Sequence, residues 1–325
     1  MNQTILHSSV RQVIKNLRNK DVLLVYSPTT VDKSIAANLL SFGDLELCDS
    51  ISISNNNLSR VSYDALRVDM GYEVYVGFGG GTAIDVAKFL SYNNKGSKCI
   101  VIPSMLSTNV FATNKVAAIR QDGKHTEDAK LPEEVVYDEA LLNLSKTESL
   151  YGLADAFSIC TALHDWQVAD SWEKEAIHKE IYNRAEGILN DARELAKNPT
   201  NLGIFKVLQQ AGYITNDYGS GRPESGSEHI IAKEIEHLVS VPHALAVTCG
   251  IAITSLLQNT YIPATKPLKQ VGVFQQIRHS AITPEILNQA LCKVHPREDR
   301  YTILDVEPIS KDLIPSLISR SGLYD

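Results

Sequence analysis

YEVYVGFGGGTAIDVAKFLSYNN, residues 72–94, reads as a strand, a turn and a helix in succession. The run from Tyr72 to Phe78 is aromatic and β-branched, as expected of a parallel strand buried on both faces. It ends in Gly77, Gly79, Gly80 and Gly81, after which TAIDVAKFL takes up helical spacing. Glycines let the backbone approach an anion closely, and a helix N-terminus offers free N–H donors at the positive end of its dipole. A pyrophosphate fits such a turn. Thr82 breaks the G-x-G-x-x-G dinucleotide pattern, however, and no Gly-Lys-Ser/Thr follows to make a P-loop. A tight turn without a ligand therefore stays open beside nucleotide binding. Asp85 and Lys88, one turn apart, read on their own as a surface ion pair.

Outward from this unit the same alternation repeats. DVLLVYSP (21–28), LELCDSISI (45–53) and KCIVIPS (98–104) are three more candidate strands, and VDKSIAANLLSFG (31–43) has helical spacing ending in glycine. Strands alternating with helices at this pitch imply a doubly wound, Rossmann-like α/β domain over residues 1–145 that would bind a dinucleotide. From about residue 146 the pattern turns helical, through 201–216, 227–239, 243–258 and 283–293, with no strand signal until RYTILDV (300–306). Residues 146–325 are expected to form an all-α domain that binds metal and substrate, and a cleft between the domains is the natural place for a ligand.

Bulk properties remove several classes of function. The 325 residues carry a formal charge of -7 without long runs of one sign, which leaves no electrostatic footprint for nucleic acid or an anionic membrane. The five cysteines, Cys48, Cys99, Cys160, Cys249 and Cys292, are scattered and never paired as CxxC, as in a reducing compartment. The N-terminal stretch has no basic-then-apolar signal pattern, and no window of about 20 apolar residues occurs. The expected location is the cytoplasm, without membrane insertion, and a homo-oligomer is the expected state.

PESGSEHIIAKEIEHLVSVPHALAV (223–247) holds three histidines. His229 and His237 lie about 80° apart around one helix, a poor chelate, and His237 between Glu234 and Glu236 reads as solvated. His243 follows Pro242, a residue favoured at a helix start, and begins an apolar helix where an imidazole needs either a hydrogen-bonding partner or a metal. Both remain open on these residues. Asp155, at the head of the apolar helix ADAFSICTALHDW, is either an N-cap carboxylate or a third ligand. Asp with two His and an open position is the pattern of a catalytic metal site.

Several of these motifs, in order, are similar to those of the iron-containing alcohol dehydrogenase and dehydroquinate synthase superfamily. GGGTAIDVAK resembles its cofactor loop. IPSMLSTNVFAT stands where the family has P-T-x-x-S-x-D-G, ADAFSICTALHDWQVA resembles its G-D-A helix, and GRPESGSEH resembles its R-P-A-S-G-S-E-H segment. REDRYTILD matches a C-terminal family motif. Within the superfamily the likeness is to polyol-phosphate dehydrogenases. The resemblance implies metal ligands at Asp155, His229 and His243, with Asp155 also catalytic. It implies NAD or NADP held by Gly79, Gly80, Gly81, Thr82 and Asp85, with Ser104, Ser107, Thr108 and Asn109 along the nicotinamide and substrate side, and Arg222 on an anionic substrate group. Zinc is the first expectation for the ion, with iron or nickel as alternatives.

Two departures bear on the substrate. Asn109 replaces the family's substrate-side Asp; it can donate a hydrogen bond but cannot act as a base. The family's H-G-E reads His243-Ala244-Leu245, without the Glu. The expected reaction is hydride transfer between NAD(P)H and a small, possibly phosphorylated, hydroxyketone such as dihydroxyacetone phosphate. The rivals are a cyclising synthase that uses NAD transiently, against which Ser158 stands where the synthases have Lys, and a catalytically altered binding homologue.

Overall fold

The computed structural model describes residues 3–45, 49–53, 71–120 and 123–325. Chain contacts divide it into two compact units, Met1–Ser149 and Leu150–Asp325.

The first unit contains strands β1 (Thr4–His7), β2 (Val22–Tyr26), β3 (Asp49–Ser52), β4 (Val74–Gly79), β5 (Lys98–Pro103), β6 (Lys115–Arg120), β7 (Gly123–Asp128) and β8 (Glu134–Tyr137). Its helices are α1 (Val10–Asn16), α2 (Pro28–Ala36), α3 (Phe42–Leu45), α4 (Gly81–Asn93), α5 (Glu139–Asn143) and α6 (Lys146–Ser149). Six strands form one parallel sheet in the order β1-β8-β5-β4-β2-β3, and β6 and β7 pair as an antiparallel hairpin.

Successive strand residues point to opposite faces, and both faces are covered. Leu24, Val76, Ile100 and Ile102 pack with Val10, Val13 and Ile14 of α1. Leu23, Val25 and Tyr75 pack with Ala83, Val86, Ala87 and Leu90 of α4. This two-sided burial explains why β2, β4 and β5 are nearly continuous apolar runs. The sheet is doubly wound, as expected, but it has more strands than the four read from the pattern. β1 and β8 have 4 residues each, too few to display a period. The helix expected over 31–43 ends earlier, at Ala36, and Asn38 adopts a left-handed φ of 57° that halts it. Residues 46–48 of the expected third strand, Cys48 among them, lie outside the described residues.

Chain direction reverses between β2, which leads to β3 on one side, and β4, which leads to β5 on the other. In open α/β sheets that reversal opens a crevice at the carboxyl ends of the strands. The glycine turn lies there. Gly79 has a φ of 150°, and a Cβ on it would stand 2.9 Å from Ser27 Cβ, just beyond β2.

The second unit is helical: α7 (Gly152–Ser171), α8 (Lys179–Leu195), α9 (Asn201–Tyr218), α10 (Ser227–Leu238), α11 (His243–Leu257), α12 (Tyr261–Gln270), α13 (Val273–Arg278), α14 (Pro284–Leu291), α15 (Ile303–Val306) and α16 (Ile314–Arg320). α11 is its centre: apart from His243 and Leu256 every residue is buried. Gly250 permits this. A Cβ there would lie 2.1 Å from the Glu228 carbonyl oxygen, so α10 rests directly on the α11 backbone.

The strand expected at 300–306 is corrected to α15. Thr302 caps the helix by accepting from Leu304 N–H, and Asp305 accepts from Thr302 N–H. This capping box outweighs the β-branched composition. No helix among the described residues is long and apolar enough to cross a membrane.

Candidate metal centre

Helix α7 is apolar around most of its circumference but carries Asp155, Ser158, Thr161 and Asp165 at helical spacing. These four form a polar stripe aimed at the start of α10. Ser158 Oγ lies 2.6 Å from the Glu224 carbonyl oxygen, and Thr161 Oγ1 donates to Glu228 Oε2 at 2.8 Å. Asp165, fully buried, accepts from Ser227 N–H (2.6 Å), Ile303 N–H (2.9 Å) and Gln258 Nε2 (2.8 Å). Burial and the nearby Glu228 carboxylate raise its pKa to about 6. The stripe fixes where the first turn of α10 sits along α7.

That register brings His229 to Asp155, with Nε2 at 3.7 Å from Oδ1. Asp155 is the fourth residue of α7, whose N-cap is Tyr151, so the N-cap alternative for this carboxylate does not apply. Close packing of α10 on α11 brings the His229 and His243 rings to a centroid distance of 5.4 Å. One ligand atom from each of Asp155, His229 and His243 then lies within 4.8 Å of the other two. A divalent ion with bonds of roughly 2.0–2.2 Å fits such a group after small side-chain adjustments. Electrostatics point the same way. Burial opposes the charged form of His229, yet Asp155 and Glu228 on either side lift it to about 9. The carboxylates call for positive charge at this point, and a cation satisfies the same demand. His237 stands apart, with its side chain 49% exposed and 3.9 Å from Glu234.

In the first unit, α4 starts at the glycine turn without a side-chain cap, so its first-turn N–H groups are not claimed by a capping side chain. A Cβ on Gly81 would stand 3.6 Å from Thr108 Oγ1, a buried oxygen with no hydrogen-bond partner. Uncapped donors facing an orphaned hydroxyl suit a phosphate group. Ser104 is tied into the turn, its N–H donating to Gly79 O at 2.9 Å and its hydroxyl 3.0 Å from Thr30 Oγ1. Asn109, which is buried, immediately precedes the 3-10 turn Val110–Ala112, and Ser107 is half-buried on the same segment.

Two of the expected ligand-binding residues make contacts inside the protein. Arg222 is only 1% exposed and lies inside the helical unit. Its Nη2 donates to the carbonyls of Asp165 (3.0 Å) and Tyr301 (2.9 Å), and its Nε lies 3.2 Å from Glu175 Oε2. It clamps the segment before α15 to α7, while its Nη1 is buried without a hydrogen-bond partner. Asp85 and Lys88, read from sequence as a surface pair, are instead both buried. Lys88 is fully buried, 3.4 Å from Asp85, and donates to the carbonyls of Val110 and Lys115; Asp85 also accepts from Ala117 N–H. The pair anchors the segment carrying Asn109 and the start of β6.

Glu228, Glu236, Thr161 and Asp165 were not singled out by sequence. For Thr161 and Asp165 the available signal was the run of polar positions along one side of an apolar helix. Ser158, the position that argues against a synthase, is fully buried.

A family model described as iron-containing alcohol dehydrogenase matches residues 4–145. Glycerol-1-phosphate dehydrogenase [NAD(P)+] of Thermoplasma acidophilum is 25% identical, the alignment covering 98% of this chain and 94% of the relative. The protein of the same name from Pyrococcus abyssi is 27% identical over 97% and 94%. Among solved structures, a probable glycerol dehydrogenase from Sinorhizobium meliloti superposes with a TM-score of 0.68 at 15% identity, covering 99% of this chain and 96% of its own. Over residues 4–145 the chain thus matches the iron-containing alcohol dehydrogenase family, and over nearly its whole length it is similar to glycerol-1-phosphate dehydrogenases.

Proposed function

We infer that this protein is a metal-dependent, NAD(P)-linked dehydrogenase that interconverts a small phosphorylated hydroxyketone and its alcohol, with dihydroxyacetone phosphate and glycerol 1-phosphate as the first candidate pair. The observation that carries this reading is the convergence of Asp155, His229 and His243 to within 4.8 Å on three helices. An Asp/His/His set suits zinc, iron(II) or nickel. Relatives named for this activity, aligned over nearly the whole chain, support the substrate class.

The ion, when bound, supplies a Lewis acid toward a carbonyl or alkoxide oxygen, and the dinucleotide supplies or accepts the hydride. The chain's own residues do the rest. First-turn N–H groups of α4 at Gly81 and Thr82, with the Thr108 hydroxyl, bind the pyrophosphate of NAD or NADP. Asn109 orients substrate through its amide and takes no proton, because an amide is not a base near neutral pH. Lys88 does not receive the substrate phosphate, since its ammonium is committed to the carbonyls of Val110 and Lys115.

The test is oxidation of NADH and NADPH by the purified protein against dihydroxyacetone phosphate, its unphosphorylated analogue and other small ketones, with zinc, iron(II) or nickel restored. Ketone-dependent oxidation that is abolished by Asp155→Ala is expected. Absence of turnover with every ketone and metal, or turnover indifferent to Asp155→Ala, overturns the reading.

A further inference from the structure

Each candidate ligand histidine has one ring nitrogen already occupied by a carboxylate, and the two carboxylates come from opposite ends of the same helix. His229 Nδ1 lies 2.8 Å from Glu228 Oε1. His243 Nδ1 lies 2.6 Å from Glu236 Oε1. The first contact is unusual, because neighbouring residues on a helix do not face one another. It arises because Glu228, in the first turn of α10, bends back to accept from Gly226 N–H at 2.5 Å while its other oxygen accepts from Thr161. The second contact spans a helix junction: Glu236, in the last turn of α10, reaches the first residue of α11.

We propose that Glu228 and Glu236 are the positioning residues of the metal centre, each holding its histidine as the Nδ1–H tautomer so that both rings present Nε2 to one ion. A carboxylate acceptor on Nδ1 leaves the lone pair on Nε2, raises its basicity and stops the ring from turning. For His229 the geometry is direct, since Nε2 is the nitrogen that faces Asp155. The two carboxylates differ in kind. Glu228 is fully buried and is also hydrogen-bonded to Thr161 and Gly226 N–H, so it is part of the frame. Glu236 keeps 16% side-chain exposure, and its contact with His243 is the one that can be removed without opening the core. The proposal rests on the metal-site reading above and extends it to residues that do not touch the ion.

The experiment compares the full chain with Glu236→Leu, Glu236→Gln and Glu228→Gln, with Glu234→Gln as a control near His237. Zinc affinity is measured by competition with a chromogenic chelator, circular dichroism and thermal unfolding monitor the fold, and long-range ¹H–¹⁵N spectra of the metal-free proteins report histidine tautomers. Glu236→Leu is expected to weaken zinc binding about 10- to 100-fold and to return His243 from Nδ1–H to a mixed tautomer, with an unchanged fold. Glu236→Gln, which can still accept from Nδ1, is expected to lose less. Glu228→Gln is expected to weaken zinc as well, with circular dichroism showing whether the variant stays folded. Zinc affinity of Glu236→Leu equal to that of the parent and the control overturns the proposal while leaving the metal site standing. A parent chain that binds no zinc, iron(II) or nickel overturns both, and an unshifted His243 tautomer in Glu236→Leu overturns the proposal without reference to any metal.

Discussion

His237 and His243 lie close together in sequence and differ in what surrounds the ring. His237 is 49% exposed beside Glu234, whereas His243 is 27% exposed, held by Glu236 and set against His229. A lone exposed imidazole offers an ion a single ligand, while one fixed beside two others is already oriented for chelation. His229→Ala or His243→Ala is therefore expected to reduce bound zinc to the level of Asp155→Ala. His237→Ala is expected to keep the parental content, as read by elemental analysis after gel filtration. Equal loss in all three histidine variants would contradict the site. Asp155 and His243 were legible because each stands in the first turn of an apolar helix, where a polar group demands an explanation. His229, on the amphipathic α10, was singled out by the family resemblance. The internal contacts of Arg222 were not legible, because nothing local reveals its partners. The carbonyls it clamps belong to Asp165 and Tyr301, far away in sequence, and only the folded helical unit brings them together.

At the scale of elements, the long signals held and the short ones did not. α9 and α10 follow from apolar periodicity, α4, α7 and α11 from apolar stretches too long for a strand, and β2, β4 and β5 from short apolar runs, because each is long enough for burial to leave a pattern. β1 and β8 are four-residue strands recruited by the sheet, and the segment at 300–306 shows how one cap can decide between two states. Thr302→Ala removes the hydroxyl that accepts from Leu304 N–H, and a cost of about 1 kcal/mol is expected in denaturant unfolding. No change would mean that Asp305 on the Thr302 N–H and Asp165 on the Ile303 N–H hold α15 without the hydroxyl. The α10–α11 contact is more demanding. Gly250→Ala places a methyl 2.1 Å from the Glu228 carbonyl oxygen, backbone that cannot yield without moving the first turn of α10. Overpacking of this kind costs about 1–3 kcal/mol, and the displaced turn carries His229. A lower unfolding midpoint together with weaker zinc binding is the expected pair of results. A variant with parental zinc affinity would show that the two helices part without disturbing the ligands.

At the scale of the whole molecule, each compact unit contains a complete candidate site of its own. The glycine turn, Thr108 and Asn109 belong to the first unit, and Asp155, His229 and His243 to the second. Binding of dinucleotide and binding of metal should therefore fail separately, while reduction of a ketone needs both. Chelator-treated protein is expected to bind NADH, followed by its fluorescence, within about twofold of the untreated protein, as for independent sites. It should lose ketone reduction until zinc, iron(II) or nickel is returned. The converse variant is Gly81→Val. A Cβ at Gly81 meets Val110 and Thr108 only at 3.5 and 3.6 Å, so the fold accommodates it, but the added methyls fill the space between the start of α4 and the Thr108 hydroxyl. NADH binding is expected to weaken about tenfold or more, a loss of about 1.4 kcal/mol, with zinc affinity unchanged. If chelation abolished NADH binding, or if Gly81→Val emptied the metal site, the two functions would have to be built from shared residues, and the assignment of the pyrophosphate to the glycine turn would fail with them.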